Sequence, residues 1–329
     1  MKNNGLNSPI KRLLYANYHA LKAYRMAKLY YANFLQYLNS RDRETVIVYQ
    51  MGKVGSTTIY DSLQPLKNLD VYHIHSLTKE RIEVVEKNYK SSFRYKHSIT
   101  AHILESQYLR KKLEKGLEGK KKWKVVTLVR DPIARNISSF FQILEEYVGH
   151  NYQAKIESMK VEDIIEELME LFLYKYKGEK PLNWFDIELK AVFGMDIYSR
   201  EFSKSKGYEI YEAEFADILL IKLENLNECA GDAFKNFLGI NNFTLIHSNI
   251  SSSKSYSNIY RQFLDSILLP ESYINKMYTS KYMCHFYSQE EIEALKAKWC
   301  RQNHAVNVTK SLEPLLADGT IFSSERRVS

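Results

Sequence analysis

Apolar residues along this chain fall into short continuous runs separated by stretches with helical spacing. Val46, Ile47, Val48 and Tyr49 form one such run and predict a short buried strand, while Ile59-Tyr-Asp-Ser-Leu63 begins a helical pattern. Gly52 to Thr58 therefore lies at a strand-to-helix turn. Trp123 to Val129 predicts a second strand that ends in charge at Arg130-Asp131. Pro132 then suits a first helical position, and the helix is expected to run through Phe141 and Leu144. Glu157 to Glu170, with Val161, Ile164, Ile165, Leu168 and Leu171 at helical spacing, predicts an amphipathic helix with a solvated face and no chemistry. Strands alternating with helices over one chain, with no Pro/Gly/Ser-rich linker and no internal repeat, predict a single α/β domain with helical additions.

The first turn carries chemistry. In Gln50-Met-Gly-Lys-Val-Gly-Ser-Thr-Thr58, Gly52 and Gly55 allow close backbone approach to a ligand, Lys53 supplies a mobile cation, and Ser56, Thr57 and Thr58 supply hydroxyl donors. Unpaired N–H groups and the helix dipole favour an anion there. It is not a Walker A loop, whose Lys directly precedes the Ser/Thr after the second Gly. Turn conformation alone also explains Gly and Ser in such a segment. Arg130 falls at the carboxyl end of the second strand, where ligand crevices of open α/β sheets lie, so Lys53 and Arg130 are expected to face one site. Ser138, about two helical turns further on, is a candidate second donor to the same anion. The plain alternative pairs Arg130 with Asp131 and leaves Arg135 and Ser138 as ordinary surface positions.

Together Gln50 to Thr58 and Val129-Arg-Asp-Pro-Ile-Ala-Arg-Asn-Ile-Ser138 resemble, in order, the two donor-binding motifs of the sulfotransferase superfamily. The resemblance implies an α/β fold with a central, mostly parallel sheet flanked by helices, of the P-loop-like sulfotransferase kind. It also implies 3′-phosphoadenosine-5′-phosphosulfate as donor substrate and adenosine 3′,5′-bisphosphate as product. On that likeness the Lys53 turn binds the 5′-phosphosulfate, and Arg130 with Ser138 the 3′-phosphate. Leu219 to Leu226 followed by Phe237-Leu-Gly239 is similar to a later strand, acidic-Asn-Leu turn and helix end of these enzymes. Asn249, Lys254 and Tyr256 resemble their late donor-binding loop, and His285-Phe-Tyr-Ser288 their closing segment. Within the superfamily, Asn183-Trp-Phe-Asp186, Val192-Phe-Gly-Met-Asp196 and Gly207-Tyr-Glu-Ile-Tyr211 look most like a bacterial group of capsular polysaccharide synthesis proteins with an Asn-x-Trp motif. The Lys-Ser-Gly-Thr-Thr order of small-molecule sulfotransferases is absent, and Lys-Val-Gly-Ser-Thr-Thr is closer to the carbohydrate-modifying branch.

Composition narrows this little further. The 329 residues, 45% of them hydrophobic, can bury a full core, and a formal charge of +8 suits an anionic donor, a polyanionic glycan, nucleic acid or an acidic membrane surface. The resemblance implies a glycan or glycolipid acceptor and not nucleic acid. Cys229, Cys284 and Cys300 have no zinc-ligand spacing, and an odd, scattered set suits a reducing, cytoplasmic setting. No apolar run is long enough for a membrane span, and Met1 to Pro9 lacks a signal-peptide core. Residues 1–43 form a basic amphipathic segment, 44–310 the α/β domain and 311–329 a tail. Leu13, Leu14, Tyr18, Leu21, Tyr24, Leu29, Phe34 and Leu38 among Lys11, Arg12, Lys22, Arg25 and Lys28 allow peripheral attachment to an anionic membrane. Packing on the domain, or on a second copy in a homodimer, is the reading to prefer, since a solvated basic face is common. The run Glu118 to Lys124 reads as a solubilising loop, and the 25 tyrosines serve sugar stacking or plain packing.

Sulfuryl transfer needs cations at the departing phosphate and a base at the acceptor hydroxyl. Lys53 takes the first role, with Ser56, Thr57 and Thr58. An imidazole titrating near pH ~6.5 suits the second. His73 and His75 share one face of a strand by alternation, and His97 and His102 lie in Lys96 to Leu104. By likeness to carbohydrate sulfotransferases, His102 in the interval before the second motif strand is preferred, then His75, then Glu105. No metal is required. The competing readings are a nucleotide-dependent kinase, which lacks a Walker-type Lys and an evident Mg²⁺-holding acid, and a non-catalytic glycan-assembly protein on the same fold.

Overall fold

The apolar runs around Val46, Val125 and Ile218 become neighbouring strands whose side chains are buried on both faces, as parallel central strands require. The computed structural model of the chain describes residues 17–39, 43–91, 100–115, 122–149, 159–176, 178–246 and 257–301. Five strands, β1 (Glu44–Tyr49), β2 (Leu69–Ile74), β3 (Trp123–Val129), β4 (Tyr208–Glu212) and β5 (Ala216–Lys222), form one sheet among these residues. Its order is β2-β1-β3-β5-β4. β1 pairs in parallel with β2 and β3, β3 pairs in parallel with β5, and the edge strand β4 runs antiparallel to β5. The expected α/β architecture with a mostly parallel sheet is therefore the one observed.

The helices are α1 (Tyr18–Asn39), α2 (Ser56–Leu63), α3 (Lys79–Ser91), α4 (Ala101–Glu114), α5 (Pro132–Gln142), α6 (Leu144–Val148), α7 (Val161–Glu170) and α8 (Lys180–Trp184). After β5 come α9 (Leu226–Leu238), α10 (Ser257–Ser266), α11 (Glu271–Tyr278), α12 (Lys281–Phe286) and α13 (Gln289–Arg301). The helix after β3 stops earlier than its apolar pattern predicts: Ile143, at φ −112° and ψ 20°, leaves helical geometry and separates α5 from α6. Both α7 and α8 continue into wider π-helical turns, Leu171–Lys175 and Phe185–Lys190. Such turns are rare and frequent near functional sites.

Strand order decides where a ligand fits. The chain goes outward from β1 to β2, then returns to β3 on the other side of β1, so the order reverses between β1 and β3. Crevices at such reversals, outside the carboxyl ends of the strands, are the binding places of open α/β sheets.

α1 divides its apolar residues between two faces. Leu21 is buried, and Met26 and Leu29 pack with Ile103 and Leu104 of α4. Lys22 pairs with Glu86 of α3 at 2.7 Å. Packing on the domain thus accounts for the inner face. Tyr24, Tyr31, Phe34 and Leu38 instead face outward and are exposed. Among the described residues no helix is long and apolar enough to cross a membrane.

Candidate functional site

The turn after β1 has the backbone of an anion cradle. Lys53 sits at φ 75° and Gly55 at φ 90°, flanking Val54, so the handedness of the chain alternates over three residues. That alternation makes concavities of converging N–H groups. Gly55 is required by its φ, and a Cβ there would also push the Leu223 side chain, whose Cδ1 it would meet at 2.6 Å. It is also the N-cap of α2 and supplies no side chain, so the first N–H groups of that helix have no side-chain cap. Ser56 is buried, and Thr57 and Thr58 are half-buried in the opening turn of α2.

Two arginines from the β3 end hold this turn from below. Arg130 Nη1 donates to the Lys53 carbonyl at 2.9 Å, and Arg135 Nε donates to the Gly52 carbonyl at 3.0 Å. A non-glycine residue in left-handed backbone costs ~1–2 kcal/mol, and these bonds to consecutive carbonyls keep Lys53 there. The Arg130 and Lys53 segments do face one crevice. Arg130 does not pair with Asp131; the Asp131 carboxylate caps α5, accepting from the Ile133 amide at 3.0 Å and from the Tyr278 hydroxyl at 2.9 Å. Arg135 is a buried residue and not a surface position, with Nη1 donating to Asn136 Oδ1 at 3.1 Å and to the Tyr176 hydroxyl at 3.0 Å. Ser138 is half-buried further along α5, about 9 Å down the axis from Pro132. Lys254, with Asn249 and Tyr256, lies outside the described residues, as does His97.

The C-terminal part of the chain locks the same edge. Glu224 accepts from the Asp131 amide at 2.8 Å and from the Tyr287 hydroxyl at 2.9 Å. The Tyr282 hydroxyl accepts from the Arg130 amide and donates to the Arg130 carbonyl, both at 2.9 Å. These buried tyrosines are structural hydrogen-bonding residues, not sugar platforms.

Two groups of α8 and its extension complete the crevice, and sequence reading passed over both. Burial, with the charges of Arg135 and Arg81 adding to it, pushes the Lys180 ammonium down to about 7. Its charge is also felt by His75. Glu188 is fully buried and accepts from the amides of Leu77 at 2.9 Å and Thr78 at 3.2 Å, from Thr78 Oγ1 at 3.1 Å, and from the Tyr49 hydroxyl. It thereby ties β1 to the loop that follows β2. A mixed apolar and charged helix, Lys180 to Lys190, was the available signal.

On the β2 side three imidazoles meet. His73 and His75 have ring centroids 5.0 Å apart, His73 and His102 4.5 Å, and His75 and His102 4.9 Å. β2 ends at Ile74, so His75 stands in the following turn and not on the strand. His75 Nδ1 is 2.9 Å from the Gln50 carbonyl and His102 Nδ1 2.6 Å from the His73 carbonyl, which makes each Nδ1 the protonated nitrogen. Burial pushes His73 down to about 3 and His75 well below the usual imidazole range, so both are neutral at pH 7. Burial raises the Glu105 carboxyl to about 7, while its Oε2 accepts the His73 amide at 2.9 Å. A Cβ on Gly52 would lie 4.0 Å from His75 Nε2, so the anion turn and this ring are neighbours. Gln50, at the end of β1, is fully buried with its amide nitrogen and oxygen unpartnered.

A cavity of about 1050 Å³ opens on the β5 side, lined by Tyr198, Arg200, Lys204, Asn225 and His285 among others. Asn225 follows Leu223, the residue packed on Gly55, so this cavity adjoins the same sheet edge.

Fold and site define an α/β protein whose β1/β3 strand reversal carries arginines and Lys180 on one side and three imidazoles on the other. Residues 153–288 match the family NKWYS, described as "Putative capsular polysaccharide synthesis protein". That segment contains Lys180, Glu188, β4, β5 and the Tyr278 to Tyr287 hydrogen-bonding residues, and stops short of the β1 turn and β3. No curated protein and no solved structure matches the chain.

Proposed function

We propose that this protein transfers a sulfuryl group from 3′-phosphoadenosine-5′-phosphosulfate to a carbohydrate hydroxyl in the synthesis of a capsular or other surface polysaccharide. The observation that carries the reading is the bond from Arg130 to the Lys53 carbonyl, which joins the two anion-binding segments at one crevice. The family match over residues 153–288 supports the polysaccharide context.

In this reading the acceptor oxygen attacks sulfur, the bond from sulfur to the 5′-phosphate oxygen breaks, and adenosine 3′,5′-bisphosphate leaves. Lys53, the hydroxyls of Ser56, Thr57 and Thr58 and the uncapped N–H groups of α2 stabilise charge growing on that departing oxygen. The outward donors of Arg130 bind the 3′-phosphate as a fork. Lys180 adds a cation that gains its proton when the anion arrives. The acceptor proton goes to a neutral imidazole. His75, whose Nε2 faces Gly52 of the turn, is the imidazole to test first, with His102 next to it.

The test is transfer of labelled sulfate from the donor to unsulfated polysaccharide by the purified protein. Turnover that disappears in His75→Ala, with adenosine 3′,5′-bisphosphate still bound, supports the reading. Donor binding with no transfer to any glycan offered would make the chain a binding protein, and phosphate transfer from ATP would make it a kinase.

A further inference from the structure

We propose that His73, His75 and His102 form a three-histidine site for a divalent transition metal of the zinc type. One ligand nitrogen from each of the three residues lies within 4.8 Å of the others. A tetrahedral centre with metal–nitrogen bonds of ~2.0–2.1 Å needs those nitrogens about 3.3 Å apart, which modest ring rotations reach because the outer torsion of histidine is soft.

Hydrogen bonding has already chosen the ligand atoms. The Nδ1 groups of His75 and His102 donate to the carbonyls of Gln50 and His73 at 2.9 and 2.6 Å, leaving Nε2 of each as a lone-pair donor. A metal-bound imidazole has this outer arrangement, which fixes tautomer and ring orientation. His73 is 5% exposed and its Nε2 is buried without a hydrogen-bond partner. A buried ring nitrogen with nothing to bond is a cost that a metal ion removes. Room for a further ligand exists. A cavity of about 50 Å³, lined by His75, His102, Thr100 and Ser106, adjoins the rings and is large enough for one water. The other side of His75 faces Gly52 of the anion turn. Three neutral nitrogen ligands and an open position are the donor set of catalytic zinc sites and suit Zn²⁺, Co²⁺ or Ni²⁺ over Mg²⁺ or Ca²⁺, which want oxygen.

This inference departs from the metal-free expectation and stands apart from sulfuryl transfer. An Nε2 whose lone pair is on a metal cannot take a proton, so the metal-free protein is the form in which His75 acts as base. The experiment is titration of chelator-stripped, full-length protein with Co²⁺, followed by visible absorption, and displacement by Zn²⁺ followed by calorimetry. One equivalent per chain is expected, with four-coordinate Co²⁺ bands, and at least a tenfold weaker affinity in each of His75→Ala and His102→Ala. Thermal melting and circular dichroism of the stripped variants check that they remain folded. Absence of stoichiometric binding by the folded wild type overturns the site, as does unchanged affinity in both folded variants. Neither result touches the donor reading, which rests on bisphosphate binding by the stripped protein.

Discussion

The β3 side and the β2 side of one crevice treat buried charge in opposite ways. Arg135 is buried yet keeps its charge, because its donors reach the Gly52 carbonyl, Asn136 and Tyr176. His73 is buried with its Nε2 unpartnered, His75 is half-buried with one bond, to the Gln50 carbonyl, and both are neutral at pH 7. A guanidinium carries five donors and starts from a very high proton affinity, so burial lowers that of Arg135 without removing its charge at pH 7. An imidazole titrates near ~6.5, so the same burial strips its charge. One edge of a sheet thus offers fixed cations on one flank and proton acceptors on the other. Group transfer from an anionic donor needs both.

The largest effect is expected on the imidazole flank, where Glu188 ties β1 to the loop that follows β2. Glu188→Ala leaves the amides of Leu77 and Thr78 and the Tyr49 hydroxyl without their acceptor. Loss of about 3–5 kcal/mol in chemical denaturation is expected, since several buried donors lose their acceptor at ~1–3 kcal/mol each. A variant as stable as wild type would mean that β1 and the loop after β2 are not held together by Glu188.

Next in size is Lys53→Ala, which should lower turnover by about 10²–10³-fold while donor affinity falls much less, as for one lost donor to a leaving oxygen. Equal losses in both quantities would place Lys53 in ground-state binding. Arg130→Ala should weaken adenosine 3′,5′-bisphosphate binding about 10–100-fold, the range of a lost charge-assisted bond of ~1.5–3 kcal/mol. Unchanged affinity in the folded variant would remove Arg130 from the 3′-phosphate.

The smallest effect is a matter of pH. Lys180 is pushed down to about 7 in the folded protein, against ~10.4 for an ordinary lysine. Between those values the unfolded chain holds the extra proton, so stability rises with pH from about 7 to about 10. Lys180→Met should flatten that rise by about 1–2 kcal/mol, measured as denaturation midpoints at pH 7 and 9.5. An identical rise in the variant would assign it to another group.

These expectations show which parts of the molecule local pattern can specify. The strands at Val46 and Val125, and the turn between Gly52 and Thr58, depend on neighbours in sequence, so apolar runs and glycines reveal them, while the strand ending at Lys222 was expected from family resemblance. Pro132 at the first position of α5 is likewise legible from local pattern. The break at Ile143 was not, because helical spacing persists across it. Arg135, Lys180 and Glu188 were missed because their roles arise from contacts that cross the chain: Arg135 reaches back to Gly52, and Glu188 to Thr78, 110 positions away. The side-by-side placing of His73 and His75 was visible from spacing. The approach of His102 was not, since it needs α4 to dock on β2.

The most direct test of the central claim is calorimetric titration of the protein with adenosine 3′,5′-bisphosphate, with ATP and AMP as controls. Micromolar binding selective for the bisphosphate, weakened in Arg130→Ala, is the predicted result. A folded protein that binds no bisphosphate, or binds ATP better, would contradict the assignment of the Lys53 turn and Arg130 to a sulfuryl donor.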